Sequence, residues 1–148
     1  MDKVVNGKKI TAAIVMIDSE GNILGCHGTG KPNDSGYDFP KGCVEEKEVD
    51  IAAAIRELRE ETDIYLDDSY RLIDAGVYPH NKEKNIHLFI YKTNYFPPLE
   101  QLKCSTYFER YGKQFPEVDS YKIISKSERG MFNKVLQNKF EIIDNFNK

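Results

Sequence analysis

The chain has 148 residues, of which 40% are hydrophobic and 30% charged, and its formal net charge is −3 at pH 7. This is an ordinary globular composition, and we expect one domain over residues 1–148. The small negative charge argues against non-specific binding to nucleic acid or to an acidic membrane surface. The longest apolar run, residues 10–17, is too short to span a bilayer, and three widely spaced cysteines indicate a reducing compartment, so the expected location is cytoplasmic.

The first half of the chain predicts two strands and a helix. Residues 10–18 form an apolar run typical of a strand buried on both faces. Residues 23–28 return as a second strand after the turn signal Ser-Glu-Gly-Asn, so the two strands are predicted to form a hairpin. A helix is expected over residues 49–62. Its apolar side chains recur at helical spacing, and they are Ile51, Ile55, Leu58 and Thr62.

The second half of the chain predicts three more strands and a closing helix. The strands are expected over residues 71–80, 85–93 and 120–125. The C-terminal helix is expected to bury one face, formed by Phe132, Val135, Leu136 and Phe140. Strands that precede and follow a helix, with a second helix at the end, predict an α/β sandwich in which a mixed sheet lies between helices.

Three glutamates crowd one turn of the predicted helix. Glu57, Glu60 and Glu61 share a face because residues three and four positions apart are neighbours on a helix. The spacing predicts that this face points away from the apolar stripe. Like charges at this distance repel one another, and Arg56 offsets only part of the repulsion. A solvated acidic face is one interpretation, and a bound divalent cation such as Mg²⁺, which prefers oxygen ligands, is the other.

The residues around these glutamates favour the cation. The stretch GCVEEKEVDIAAAIRELREETDI resembles the Nudix box of the Nudix (MutT-like) hydrolases, and the chain resembles bacterial or phage members of that family. The positions that agree are Gly42, Glu48, Arg56, Glu57, Leu58, Glu60, Glu61 and Ile64. Asp63 stands where the family pattern has glycine. We expect Asp63 to adopt the left-handed conformation common just after a helix, which Asp tolerates better than most residues.

The resemblance implies a Nudix-type α/β/α sandwich and hydrolysis of a pyrophosphate bond that depends on Mg²⁺, with Mn²⁺ as an alternative ion. Carried over to this chain, the metal ligands would be Glu57, Glu60, Glu61 and the carbonyl of Gly42. Arg56 would pair with Glu48 and steady Glu60. The base that takes a proton from water would be Glu60 or an acidic residue of a later loop, for which Glu117 is a candidate.

Several further residues are predicted to contact substrate. The stretch FPKG resembles the Nudix subgroup that handles highly phosphorylated substrates, and Lys41 within it could place an ammonium on a phosphate oxygen. Tyr37 and Phe39 could stack on a base, with a core position as the alternative for each. His80, at a strand end, is a weaker candidate.

The substrate stays open at this level. A nucleoside diphosphate linked to another group is expected, with dinucleoside or nucleoside polyphosphates favoured. Pro79 lies where the resemblance associates a proline with ADP-ribose hydrolases. The alternatives are therefore an ADP-ribose or nucleotide-sugar pyrophosphatase, an RNA 5′-end pyrophosphohydrolase, and a Nudix module that binds a nucleotide without cleaving it. The family resemblance allows a monomer or a homodimer.

Overall fold

The computed structural model of the protein describes residues 1–66 and 71–148. The described strands are β1 (Val4–Val5), β2 (Lys8–Ile17), β3 (Ile23–Gly28), β4 (Tyr37–Asp38), β5 (Lys41–Cys43), β6 (Leu72–Pro79), β7 (Lys84–Lys92), β8 (Tyr107–Arg110), β9 (Lys113–Pro116) and β10 (Val118–Ile124). The described α-helices are α1 (Asp50–Thr62) and α2 (Phe140–Phe146). Short 3₁₀ helices cover Leu99–Gln101, Lys126–Met131 and Lys134–Lys139.

The main sheet is mixed, as predicted. Its central path runs in the order β10-β3-β2-β7-β6. Strands β2 and β7 are parallel along their whole length, from Lys9 beside Lys84 to Ile17 beside Lys92. The other neighbours on this path are antiparallel. The parallel pair requires a crossover, and α1 lies within it, which places this helix against one face of the sheet.

The predicted hairpin of β2 and β3 forms only at its turn. The two strands pair at Ile17 and Ile23, and each then takes a different neighbour. Strand β3 pairs with β4, and β2 pairs with β5, in a register that sets Ala12 opposite Gly42. The segment that precedes α1 therefore lies between two diverging strands of the main sheet. Backbone hydrogen bonds on both sides hold it in place.

The core has two layers, one on each face of the sheet. Alternate residues of β2 point to opposite faces, so Ile10, Ala12 and Ile14 pack against α1. Ala13, Val15 and Ile17 belong to the other layer. The C-terminal segment covers that layer with Phe132, Leu136, Phe140 and Ile143. The predicted α/β/α sandwich is confirmed, since helical segments cover both faces of the sheet.

The C-terminal layer differs from the predicted single helix. Two 3₁₀ helices and the short α2 replace it, and Val135, expected in the buried face, is 44% exposed. Phe132 and Phe140 are buried as expected. The β8–β9 hairpin was not predicted from the sequence. Within the described part of the chain, none of the helices combines the length and the apolar character that crossing a membrane requires.

Candidate active site

Gly42 and Glu57 make the closest approach between the sheet and α1. A Cβ atom added to Gly42 would lie 2.0 Å from Cδ of Glu57 and 2.1 Å from its Oε1. Real Cβ atoms do not make contacts this short, so only glycine leaves room for the carboxylate. The register of β5 on β2 and the position of Glu57 on α1 together bring the two residues into contact.

Arg56 is the centre of an ion-pair network. Its Nε and Nη2 donate to the two carboxylate oxygens of Glu48, at 2.8 and 2.9 Å, in the paired geometry that favours Arg over Lys. Nη2 also donates to the carbonyl of Cys43 at 3.1 Å. Nη1 donates to Glu57 at 2.8 Å and to Glu60 at 3.2 Å. The contact between Arg56 and Glu48 expected from the resemblance is present, and the same guanidinium also holds two of the candidate metal ligands.

The expectation that all three glutamates of α1 point outward is wrong. Glu57 and Glu61 are each only 8% exposed, because the β4–β5 segment packs on their side of α1. The backbone N–H of Lys41 donates to Glu61 Oε1 at 3.2 Å. Glu60 is partly exposed. The helix therefore buries two acidic side chains beside the sheet.

Burial changes the acidity of these two side chains. It raises the pKa of Glu57 to about 7; Arg56 acts in the opposite direction, and Glu60 adds to the rise. Burial also raises the pKa of Glu61 to about 8, against the opposing charge of Lys41. Removing a carboxylate from water disfavours its charged form, and like charges nearby add to the effect. Ionising these two carboxylates therefore costs stability, and a bound cation would offset that cost.

A cleft of about 300 Å³ opens beside these residues. Its walls include Lys41, Gly42, Glu61 and Glu117, so residues from β5, α1 and the loop before β10 meet there. Glu117 accepts a hydrogen bond from the Thr106 hydroxyl at 3.1 Å. The predicted site residues Lys41, Gly42, Glu61 and Glu117 therefore lie in one cleft.

Asp38 is a residue of the cleft that the sequence reasoning missed. Its Oδ2 lies 3.3 Å from Nζ of Lys41, and this carboxylate raises the pKa of Lys41. Asp38 also accepts a hydrogen bond from the side-chain amide of Asn133 at 3.1 Å. The sequence did contain a signal for this pair, since Asp38 and Lys41 stand three positions apart in the stretch YDFPKG. Strand β4, rather than a helix, brings them together.

The two aromatic residues predicted to stack on a base lie in the core. Phe39 is fully buried, and its ring packs against the rings of Phe132 and Phe140 at centroid distances of 5.2 and 6.1 Å. Tyr37 is buried and makes an edge contact with His27 at 5.1 Å. These placements correct the predicted stacking role, because neither ring presents an open face. His80 borders a second cavity rather than the cleft.

Glu61 in the cleft and the two glutamates beside it on α1 fit a divalent metal ion by their chemistry. Carboxylate oxygens are the ligands that Mg²⁺ prefers, and Glu57, Glu60 and Glu61 lie within two turns of one helix. In the described ranges, His, Cys, Asp and Glu side chains do not come together as a ready set of three or more ligands. Arg56 accounts for part of this, since its Nη1 bonds both Glu57 and Glu60.

Asp63 adopts the left-handed conformation predicted for it. Its φ and ψ are 66° and 19°, and its N–H donates to the carbonyl of Arg59 at 2.8 Å. The substitution of aspartate for the family glycine therefore keeps the usual end of the helix. Nearby, the Tyr121 hydroxyl donates to the Glu61 carbonyl at 2.5 Å, which ties the last turn of α1 to strand β10.

A model of the NUDIX domain family matches residues 7–134 of this chain. Because the match covers most of the chain, the protein belongs to the Nudix family and is a pyrophosphohydrolase, a hydrolase that acts on acid anhydrides. Nudix enzymes generally use a divalent metal ion. A phage relative is an uncharacterized 17.7 kDa protein from the e-segB intergenic region of Enterobacteria phage T4. It is 29% identical over 133 residues, an alignment that covers 82% of this chain and 85% of the phage protein.

Two solved structures share the fold. The NUDIX domain of Shewanella oneidensis NrtR, crystallised with ADP ribose, is 11% identical with a TM-score of 0.69, and the match covers 97% of this chain and 91% of that one. An Ap4A hydrolase of C. elegans, solved as a binary complex, is 17% identical with a TM-score of 0.62, and the match covers 93% of this chain and 96% of that one. At these identities the likeness is one of fold.

Proposed function

We propose that the protein hydrolyses a pyrophosphate bond in a nucleoside diphosphate linked to another group, and that it requires Mg²⁺, with Mn²⁺ able to replace it. Dinucleoside and nucleoside polyphosphates are the favoured substrates. The observation that carries the proposal is a pair of buried carboxylates in a Nudix fold: Glu61 lines the cleft, and Glu57 packs against Gly42 of its wall. A divalent cation bound together with the pyrophosphate would neutralise the negative charge of these carboxylates.

Glu57, Glu60, Glu61 and the carbonyl of Gly42 would hold the metal ion. A bound Mg²⁺ would neutralise charge on the pyrophosphate and lower the pKa of a bound water. Glu57 and Glu61 must both be ionised to act as ligands, so ion binding and proton release are coupled.

The other residues position these groups and the substrate. Arg56 fixes the loop before α1 through Glu48 and Cys43 and directs the carboxylates of Glu57 and Glu60. Lys41 faces the same cleft and can place its ammonium on a phosphate oxygen. The proton of the attacking water would pass to Glu60, with Glu117 across the cleft as the second candidate.

ADP-ribose is the second candidate substrate. The NrtR domain that shares the fold was crystallised with ADP ribose, and the C. elegans relative is an Ap4A hydrolase. ADP-ribose and Ap4A each contain a pyrophosphate linkage between two larger groups. Lys41 favours a substrate with a longer phosphate chain, because its ammonium can bind a phosphate oxygen in addition to those that bind the metal ion.

A substrate panel tests the proposal. Diadenosine tetraphosphate, nucleoside triphosphates, ADP-ribose, a nucleotide sugar and 5′-triphosphorylated RNA are each incubated with the protein in Mg²⁺, Mn²⁺ or EDTA, and products are separated by chromatography. We expect cleavage of the dinucleoside polyphosphate with either metal ion and none in EDTA. The Glu61→Gln variant is the matched control, and we expect its rate to fall about a hundredfold or more. Binding of a nucleotide without cleavage of any substrate would reject the proposal in favour of a non-catalytic module.

A further inference from the structure

A second cavity, of about 560 Å³, lies between the β6–β7 turn and the 3₁₀ helix Lys134–Lys139. Pro79, His80 and Asn81 line it from the turn, and Lys134, Lys139 and neighbouring residues line it from the helix. None of the residues that line this cavity is an aspartate or a glutamate. Two ammonium groups and an imidazole thus share a cavity with neutral side chains.

Lys139 is the most unusual residue of this cavity. It is only 2% exposed, and its Nζ donates to the side-chain oxygen of Asn138 at 2.6 Å. Within residues 1–66 and 71–148, no carboxylate lies within ion-pair distance of Lys139. Burial lowers the pKa of Lys139. A buried ammonium without a counter-charge destabilises a fold, so its presence indicates a role in binding.

Within the described structure, His80 also has an unpaired polar atom. Its Nδ1 is buried and has no hydrogen-bond partner among the described residues. Burial lowers the pKa of His80, the charges of Lys41, Lys139 and Lys84 lower it further, and Asp38 opposes them. Lysines from three separate elements therefore act on this imidazole, against one carboxylate that is already paired with Lys41.

The second cavity adjoins the catalytic cleft. Asn133 lines the cleft, and the next residue, Lys134, lines the second cavity. Lys41 and Asp38, which line the cleft, are close enough to His80 to change its pKa. An extended ligand bound in the cleft would pass residues 133–134 to reach the second cavity.

We propose that the second cavity is a subsite for a phosphate group of the substrate that lies beyond the cleaved bond, held by Lys139, Lys134 and His80. A phosphate dianion supplies the counter-charge that Lys139 lacks among the described residues and forms charge-assisted hydrogen bonds with ammonium groups. This inference rests on the proposed function and makes it narrower. ADP-ribose carries no phosphate outside its single pyrophosphate, so the subsite selects nucleotides with longer phosphate chains.

Binding of inorganic tripolyphosphate in EDTA tests the subsite without any hydrolysis. Calorimetry compares the wild-type protein with Lys139→Met and with a matched control, Lys126→Met, whose side chain is 64% exposed on the same C-terminal segment. We expect Lys139→Met to weaken binding about tenfold, Lys139→Arg to retain most of it, and the control to match the wild type. Nuclear magnetic resonance should show the His80 ring signals shifting during the titration. Equal affinity of Lys139→Met and wild type, or unmoved His80 signals, would overturn the proposal.

A kinetic comparison separates a substrate subsite from a site for free phosphate. Lys139→Met should raise KM for diadenosine tetraphosphate about tenfold and leave KM for ADP-ribose unchanged. Tripolyphosphate binding that depends on Lys139, combined with unchanged KM for both nucleotides, would reject the substrate subsite. Lys139→Met removes a buried charge, so its Tm should equal or exceed that of the wild type, and misfolding does not explain a loss of binding. The tripolyphosphate titration in EDTA does not depend on hydrolysis, so it tests the subsite even if the substrate panel shows no cleavage.

Discussion

At the level of single residues, the geometry of the site depends on the absence of a side chain at Gly42. Gly42 leaves the space that the Glu57 carboxylate fills, and a Cβ there would meet three atoms of that carboxylate at 2.0 to 2.3 Å. Arg56 then determines where Glu57 points, through a hydrogen bond of 2.8 Å. A side chain added at Gly42 would therefore displace Glu57, a candidate metal ligand, without removing any charged group.

The Gly42→Ala variant should lose metal affinity and turnover together. The added methyl group forces Glu57 out of its position, and we expect Mg²⁺ affinity and kcat each to fall about tenfold or more. Calorimetric titration with Mg²⁺ and a steady-state assay measure the two effects. Gly130→Ala is the matched control, because a Cβ there meets nothing within 4 Å. Normal Mg²⁺ binding by Gly42→Ala would show that Glu57 is not held by this contact.

The buried carboxylates predict how stability depends on pH. The pKa values of Glu57 and Glu61 in the folded protein, about 7 and about 8, lie above the ordinary value of 4.5. The folded state thus keeps protons that the unfolded state releases, and the resulting stability is fully present below the ordinary value. It is lost as the pH rises through the two folded-state values.

Metal-free protein should therefore become less stable between about pH 5 and pH 8. Urea unfolding in EDTA across this range measures the loss. The Glu61→Gln variant should show a flatter profile, because the amide does not titrate. A wild-type profile as flat as that of the variant would contradict the predicted protonation of Glu61 in the metal-free fold.

At the scale of elements, α1 is the helix whose ends matter most to the site. Its first turn lacks a side-chain cap, and its last turn is held from several directions. The backbone N–H and hydroxyl of Ser105 donate to the Glu60 carbonyl, at 2.7 and 3.1 Å, and Tyr121 donates to the Glu61 carbonyl. The carbonyl groups that a helix end leaves without partners are thus bonded by two distant segments. This anchoring holds the turn that carries Glu60 and Glu61.

Replacing Asp63 with glycine should stabilise the protein. Asp63 has a φ of 66°, which glycine adopts without the steric penalty of a Cβ. We expect Asp63→Gly to raise the free energy of unfolding by about 0.5–1 kcal/mol and Asp63→Ala to lower it. Chemical denaturation of the three proteins measures the difference. Equal stability of the glycine and alanine variants would show that the left-handed conformation of Asp63 is not the source of the effect.

At the scale of the whole molecule, Arg129 joins parts of the chain that are far apart in sequence. Its guanidinium donates to both oxygens of Asp144 in α2, at 2.7 and 2.8 Å, and to the Gly21 carbonyl in the β2–β3 turn at 3.1 Å. It also lies over the ring of Phe140, 4.9 Å from the centroid. The C-terminal layer is thereby fastened to the edge of the sheet from which β2 and β3 diverge.

The Arg129→Met variant should lose about 3 kcal/mol of stability, because it removes both short hydrogen bonds to the half-buried Asp144 carboxylate and leaves it only the more distant Lys126. Lys122→Met, which breaks an exposed pair of 3.9 Å with Glu128, should leave the stability almost unchanged, because water screens this pair. Chemical denaturation measures both. Arg129 lowers the pKa of Asp144, so the difference between wild type and Arg129→Met should shrink as the pH falls below the ordinary value of 3.8. Similar losses in the two variants at neutral pH would rule out this role for Arg129.

The features that can be predicted from the sequence alone are mostly local. The helix predicted over residues 49–62 is observed at Asp50–Thr62, and the contact of Arg56 with Glu48 and the left-handed Asp63 are present. The helix and the left-handed Asp63 depend on nearby residues, so spacing and backbone sterics are sufficient to predict them, whereas the contact of Arg56 with Glu48 was implied by the family resemblance. The mixed sheet also followed from the order of strands and helices along the chain.

The burial of these residues, and the cavities that they share, follow from the packing of segments that are distant in sequence. The divergence of β2 and β3 places the β4–β5 segment over Glu57 and Glu61, which spacing on an isolated helix does not show. The same packing puts Phe39 in the core, and it brings His80 and Lys139, 59 positions apart, to the walls of one cavity. Strand pairing and the burial of charge depend on contacts between distant parts of the chain, and their energies appear only when the layers come together.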